Sequence, residues 1–299
     1  MTKKKYNSGR RTVLKTLGAG IAGLGSAGLV QGSNDHSSKE PMALMKEAQQ
    51  VLQQNGPEAR ASFLESHGIK TTSKGISVSR PTSDGSVSTN SIDCIEPTRC
   101  GGDGDIEVNI SMAFLPTYSQ YHVSLQFRYQ YVYGITLSGY YDYSGPERPL
   151  DGTGLYWNPD EYQIENTTLP GESMTVPDHG SWDNGSWNVA RSGSGFRVDD
   201  LQVCYDSGSY GDDLSEHWSD WDSCGVMLVP QADHSSSSLV KGEYVYAWND
   251  DYLSPSVSAS YPLGIGVSFS GSSSVQKEDL ATNLQGEALA VSSSDAIRL

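Results

Sequence analysis

The stretch Tyr121-His-Val-Ser-Leu-Gln-Phe-Arg-Tyr-Gln-Tyr-Val-Tyr133 decides the fold class of this chain. Tyr121, Val123, Leu125, Phe127, Tyr129, Tyr131 and Tyr133 fall on every second position, with His122, Ser124, Gln126, Arg128 and Gln130 between them. A pleated strand turns successive side chains to opposite faces, so a period of two held over thirteen residues predicts a strand with one apolar and one polar side. Upstream, Ile106, Val108, Ile110, Met112 and Phe114 alternate in the same way with Glu107, Asn109, Ser111 and Ala113. Downstream, Tyr244, Tyr246 and Trp248 begin a third alternation; Val257, Ala259 and Tyr261, then Leu263, Ile265, Val267 and Phe269, carry it on. Turns rich in Gly, Asn and Asp separate these runs. Together they predict a mainly β domain over 93–271, an antiparallel β-sandwich of jelly-roll or lectin-like type, each sheet with one wet and one dry face. Residues 142–233 read mostly as loops with short strands such as Phe196–Tyr205.

The segment 33–70 has a different period. Leu44, Met45, Ala48, Val51 and Leu52 recur at helical spacing, Asn55-Gly56-Pro57 breaks the run, and Pro57 opens a second helix through Ala61, Phe63 and Leu64 to a stop at Gly68. Two short helices with so few apolar residues cannot make a core alone. They either dock on the β domain or serve as a pro-segment. Residues 71–92 are rich in Ser, Thr and Gly and read as a linker, and 272–299 read as a polar tail.

Further out lies Gly9-Arg10-Arg11-Thr12-Val13-Leu14-Lys15, followed by a Gly/Ala-rich apolar run from Thr16 to Val30. This segment resembles the twin-arginine export motif at Arg10, Arg11, Leu14 and Lys15, with Gly9 where Ser or Thr is usual and Val13 where Phe is usual. The resemblance implies a signal peptide over 1–32, passage through the twin-arginine translocase in a folded state, and an extracellular or cell-surface destination. The apolar run is short and glycine-rich for a membrane span, and cleavage between Ala27 and Ser33 would leave no anchor.

Of the 20 Lys and Arg residues, six precede residue 33, so the remaining 14 face all 36 Asp and Glu and the exported chain carries a net charge of −22. Such an excess repels nucleic-acid backbones and anionic lipid surfaces. It also repels itself, and only near molar salt, where the Debye length is about 3 Å, is that repulsion screened out. Acid-rich, lysine-poor and carrying a twin-arginine signal, the chain resembles secreted proteins of halophilic archaea; this resemblance implies a habitat and no activity.

Four cysteines, Cys94, Cys100, Cys204 and Cys224, in an exported chain point to disulfides, and pairing neighbours is the simplest of the three connectivities. No Cys-x-x-Cys, His-Glu-x-x-His, Gly-x-Ser-x-Gly or phosphate-loop pattern occurs. Gly18-Ala19-Gly20-Ile21-Ala22-Gly23 matches a dinucleotide fingerprint by letter only, because no strand precedes it.

Two constellations remain. Asp206, Asp212, Asp213, Glu216 and Asp220 crowd the segment between Cys204 and Cys224 and offer hard oxygen ligands of the kind Ca²⁺ takes, although the spacing fits no EF-hand; a solvated acidic surface is the simpler reading. Trp157, Trp182, Trp187, Trp218 and Trp221 cluster in the loop-rich middle, where aromatic faces can hold sugars or fill the core. Asp160, Glu161, Asp178 and Glu216 are candidates for a glycosidase pair, and His179, His217 and His234 for a base. Asn109, Asn166 and Asn184 stand in N-glycosylation sequons. The expectation is an exported binding or structural protein associated with a glycan or Ca²⁺. The alternatives are a secreted polysaccharide hydrolase and an antimicrobial precursor.

Overall fold

The computed structural model describes residues 40–79, 105–132, 150–166, 169–183, 191–200, 202–203, 216–248, 255–269, 276–279 and 289–297. The twin-arginine motif, Cys94, Cys100, Cys204, Trp187, Asn184, Asp206, Asp212 and Asp213 lie outside them. The described chain is mainly β, with antiparallel pairing throughout the described ladders.

Strand β3 (Gln120–Val132) is the predicted thirteen-residue strand, and β2 (Asp105–Leu115) pairs with it in antiparallel register, Val108 opposite Phe127 and Ile110 opposite Leu125. The first sheet runs β1 (Lys70–Ser79), β2, β3, β10 (Asp222–Pro230), β5 (Tyr162–Ile164); β6 (Met174–Thr175) adds to β10 and β9 (Glu216–Trp218) to β3. The second runs β14 (Gln276–Asp279), β11 (Leu239–Trp248), β4 (Asp151–Trp157), β8 (Gly193–Val198), β7 (Gly180–Trp182), with β15 (Ala290–Ser292) on β11. One apolar core lies between them. It joins Val108, Ile110, Val123, Leu125 and Phe127 of the first sheet to Leu155, Trp157, Phe196 and Tyr244 of the second. In β2 and β3, Ile106, Val108, Ile110, Met112, Tyr121, Val123, Leu125, Phe127 and Tyr129 of the alternation are buried, on the face that a period of two fixes, whereas Tyr261 and Leu263 of the later run are exposed.

The opposite face of β2 and β3 departs from expectation. Read as wet, it is roofed by a helix, so His122, Ser124 and Gln126 are buried. The roof is α1 (Pro41–Ser66), in which the two expected helices form a single element kinked at Gly56. Gly56 has φ +84°, a conformation L side chains rarely adopt, and Pro57 has no N–H to give to the preceding turn. The helix ends where the sequence stops it: the Gly68 and Ile69 N–H groups donate to the Glu65 and Leu64 carbonyls at 2.9 and 3.0 Å, with Gly68 at φ +74°. Met45, Ala48 and Leu64 of α1 pack on Ala113, Leu115 and Met227, and this contact, rather than helix propensity, holds α1 in place.

Two segment boundaries are corrected. Residues 70–79, expected as the start of a linker, form β1, paired along its whole length with β2 from Lys70 opposite Phe114 to Ser79 opposite Asp105. The expected polar tail supplies β14, β15 and the short α2 (Ser293–Ile297), and its Leu289, Val291 and Ala296 enter the main core. Three apolar side chains set in a Ser-rich run are enough to tie it down.

Strands β12 (Pro255–Ser260) and β13 (Gly264–Phe269) form a separate hairpin that lies flat on the outer face of the second sheet. Gly152, Gly154, Gly193 and Gly195 make the room: a Cβ on Gly152 or Gly154 would come within 2.5 Å of Val267 or Ile265, and one on Gly193 or Gly195 within 2.6 Å of hairpin backbone. Buried carboxylates hold the hairpin at both ends, Asp183 accepting from Val257 N at 2.8 Å and Glu243 from Ile265 N at 2.7 Å. Gly195→Val should therefore destabilise the fold by about 1–3 kcal/mol through overpacking against backbone that cannot yield. A lower urea midpoint at an unchanged slope would show it; an unchanged midpoint would mean that the hairpin moves aside freely.

Candidate functional site

Beneath the kink of α1 a cavity of about 710 Å³ opens between the helix and the outer face of β1, β2 and β3. Its floor follows from strand register. Glu107 stands opposite Arg128, Asn109 opposite Gln126, and Ser111 opposite Ser124, so the polar half of each alternation meets its counterpart across the ladder. Arg128 Nε donates to Glu107 Oε2 at 2.6 Å, Asn109 Nδ2 to Gln126 Oε1 at 3.4 Å, and the Ser111 and Ser124 hydroxyls are 3.0 Å apart. Gln126 Nε2 donates to Ser111 Oγ at 2.9 Å. On β1, Gly75 lies opposite Asn109 and leaves space above it.

Arg60 of α1 closes the inner end. It is 3% exposed; Nη1 donates to Ser111 Oγ at 2.9 Å and Nη2 faces His122 Nδ1 at 3.5 Å. Burial pulls the guanidinium down to about 10, so it stays charged at neutral pH. Burial, and then the Arg60 charge, push His122 down to about 3, and the imidazole stays neutral. A guanidinium only donates, so Nδ1 is the acceptor and the ring proton sits on Nε2, which has no partner among the described residues.

The outer end is aromatic. The Arg128 guanidinium carbon lies 4.4 Å from the Trp218 ring centroid and 4.8 Å from that of Trp221. Both indoles are half-buried, and Trp221 lies against Gly56 at the kink, 3.5 Å from where a Cβ would stand. The exposed rim includes Asn55 and Glu58. The structure thus sets Trp218 and Trp221 against the same guanidinium of Arg128, and Arg128 and Trp221 line the cavity with Arg60; neither arginine carries a motif that marks it in the sequence.

Other expected site residues are placed elsewhere. Trp157 is fully buried in the core, and Trp182 is half-buried and packed against the same core, so neither offers a ring face at this site. Cys224, opposite Leu125, is a free buried thiol whose ionisation is suppressed by burial, and its expected partner Cys204 lies outside the described residues. Asn109, in the first of the sequons, is half-buried and lines the cavity. Asn166 ties its own turn, Nδ2 donating to Glu172 at 3.0 Å and Oδ1 accepting from Leu169 N at 2.9 Å.

Among the acids, Asp220 is exposed, and Glu216 and His217 belong to β9. Among the described residues no group of three metal-ligating side chains comes together. Glu161 accepts from Ser235 N at 2.6 Å, and His234 lies 3.6 Å from it, so this pair fastens a loop. Asp178 and His179 give their backbone N–H groups to buried Asp222 at 3.0 and 3.3 Å. Among the described residues no helix is long and apolar enough to cross a membrane. The chain matches no protein-family model and no curated protein sequence.

Proposed function

We propose that this is an exported extracellular or cell-surface protein, a β-sandwich of lectin-like build, that binds a glycan in the recess beneath α1. The observation that carries this reading is Trp221, half-exposed in the lining of a cavity with a hydrogen-bonding floor and held by Arg128, whose guanidinium also stacks on the half-exposed Trp218. Indole faces pack on the C–H groups of a sugar ring, while Asn109, Gln126 and the serine hydroxyls supply donors and acceptors for its hydroxyls. Rings held in place by a cation also bring less ordering cost to binding. The twin-arginine resemblance and the acid-rich composition support the extracellular location.

Retention on a panel of polysaccharide columns tests the reading. Trp218→Ala and Trp221→Ala should each weaken retention on the preferred polymer at least about tenfold, the loss expected of an aromatic hot spot, with the melting temperature of the Trp218 variant almost unchanged. If both variants unfold, the indoles are structural pins and the reading falls. Release of reducing ends during the incubation would instead support a hydrolase.

A further inference from the structure

Arg60 is a buried cation with no anion beside it among the described residues. Its protein contacts are Ser111 Oγ and His122 Nδ1, and among the described residues no carboxylate forms an ion pair with it. A guanidinium has five N–H donors in a fixed fork, so several remain for another acceptor. Burying such a charge without a counter-ion is costly, and the cost is recovered only when an anion arrives. Neighbouring charges cannot meet the need: Glu107 is held by Arg128 at 2.6 Å, and Glu58 is exposed on the rim in water. Asp and Glu outnumber Lys and Arg 36 to 20, yet none of the described acids pairs with Arg60 at the inner end of the cavity.

We propose that the cavity is specific for an acidic glycan, whose carboxylate enters beneath α1 and is bound by Arg60, with the Ser111 hydroxyl and Asn109 amide beside it and the sugar ring nearer Trp218 and Trp221. This inference rests on the glycan reading above and adds the substrate class. A uronic acid has the required chemistry: a planar carboxylate that matches the guanidinium fork, on a ring with an apolar face. A neutral sugar would leave the guanidinium unpaired and desolvated. Selectivity therefore comes from a penalty on the neutral ligand as much as from an attraction to the charged one.

The test uses the full chain and three immobilised or soluble probes: polygalacturonate, the same polymer fully methyl-esterified, and a neutral glucan or xylan. Polygalacturonate should bind at least about tenfold more tightly than its ester, the factor set by a charge-assisted hydrogen bond of about 1.5–3 kcal/mol. Arg60→Met, which keeps the length and apolar stem, should erase that difference, and Arg60→Lys should restore part of it. The esterification comparison needs no variant, so an Arg60→Met protein that fails to fold leaves the inference testable. Equal binding of polymer and ester by the wild type overturns the acidic-glycan inference and leaves the glycan reading standing. Binding of no polysaccharide overturns both. Stabilisation by acetate and chloride to the same degree as by galacturonate would show a site for small anions alone and would also overturn it.

Discussion

Replacing Trp157 by alanine is expected to destabilise the protein by about 3–5 kcal/mol, the cost of emptying a fully buried aromatic site in a core that closes only in part. Trp157 ends β4 at 0% exposure, between sheets whose other members are already in contact, and Val240 stands opposite it on β11. Domains usually have 5–15 kcal/mol in total, so the variant should unfold at a much lower denaturant concentration. Trp157→Phe should cost far less, because the indole N–H has no hydrogen-bond partner among the described residues and its removal leaves no orphan behind. Equal losses for the two variants would mean that the indole shape, and not the buried area, holds the sheets in register.

The second large effect is a pH dependence carried by His122. Its folded value is depressed from 6.5 to about 3, so the unfolded chain takes up the proton first. The contribution is fully present above about pH 6.5 and is lost progressively as pH falls towards 3, because protons then favour the unfolded state. A shift from 6.5 to about 3 at 1.36 kcal/mol per unit corresponds to as much as about 5 kcal/mol across that window. His122→Asn keeps an acceptor for Arg60 and cannot be protonated. Unfolding free energies of the two proteins, measured at intervals from pH 7 to 3.5, should diverge in favour of the variant as pH drops, while the many surface acids cancel in the difference. Parallel curves would show that water reaches the His122 ring and that its proton is not excluded.

The same residues show what sequence could reveal. The alternation in β2 and β3 gave the strands, their inward faces and the polar set that became the cavity floor, because a period of two is a local property of the chain. What covers that polar set is not local. Arg60 lies four residues before Leu64 and, with Met45, Ala48 and Leu52, on the buried side of α1, but a charged residue on a helix reads as solvated unless its seat is known. Strand β1 was hidden for a related reason: Thr71, Ser73, Gly75 and Ser77 line or border the cavity, leaving Ile76 as its buried apolar anchor and little hydrophobic signal. The Gly-x-Gly spacing at Gly152 and Gly154, and again at Gly193 and Gly195, was the visible trace of the docked hairpin, and it resembles ordinary loop composition until the sheet beneath is built. Trp218 and Trp221 stand three residues apart, so their proximity is a local property of the chain. Arg128, the residue that positions them, sits about ninety residues earlier and meets them only through the pairing of β9 with β3.

The roofing of the first sheet by α1 also sets the order in which the chain can fold. The Gln49 amide donates to the Ser223 carbonyl, 174 residues away, and to the Val176 carbonyl, 127 residues away. At the other end of the chain, α2 and β15 pack against β1 and β2. A helix forms in about a microsecond, but this one emerges first and finds its seat only after β10 has been synthesised and paired. Contacts of such long sequence separation slow the search, since the entropy of closing large loops is spent before packing returns any of it. Folding should therefore be slow and concerted, completed after synthesis and not during it. On the proposed export route, the translocase would receive a cargo in which α1 and α2, far apart in sequence, pack on the same sheet.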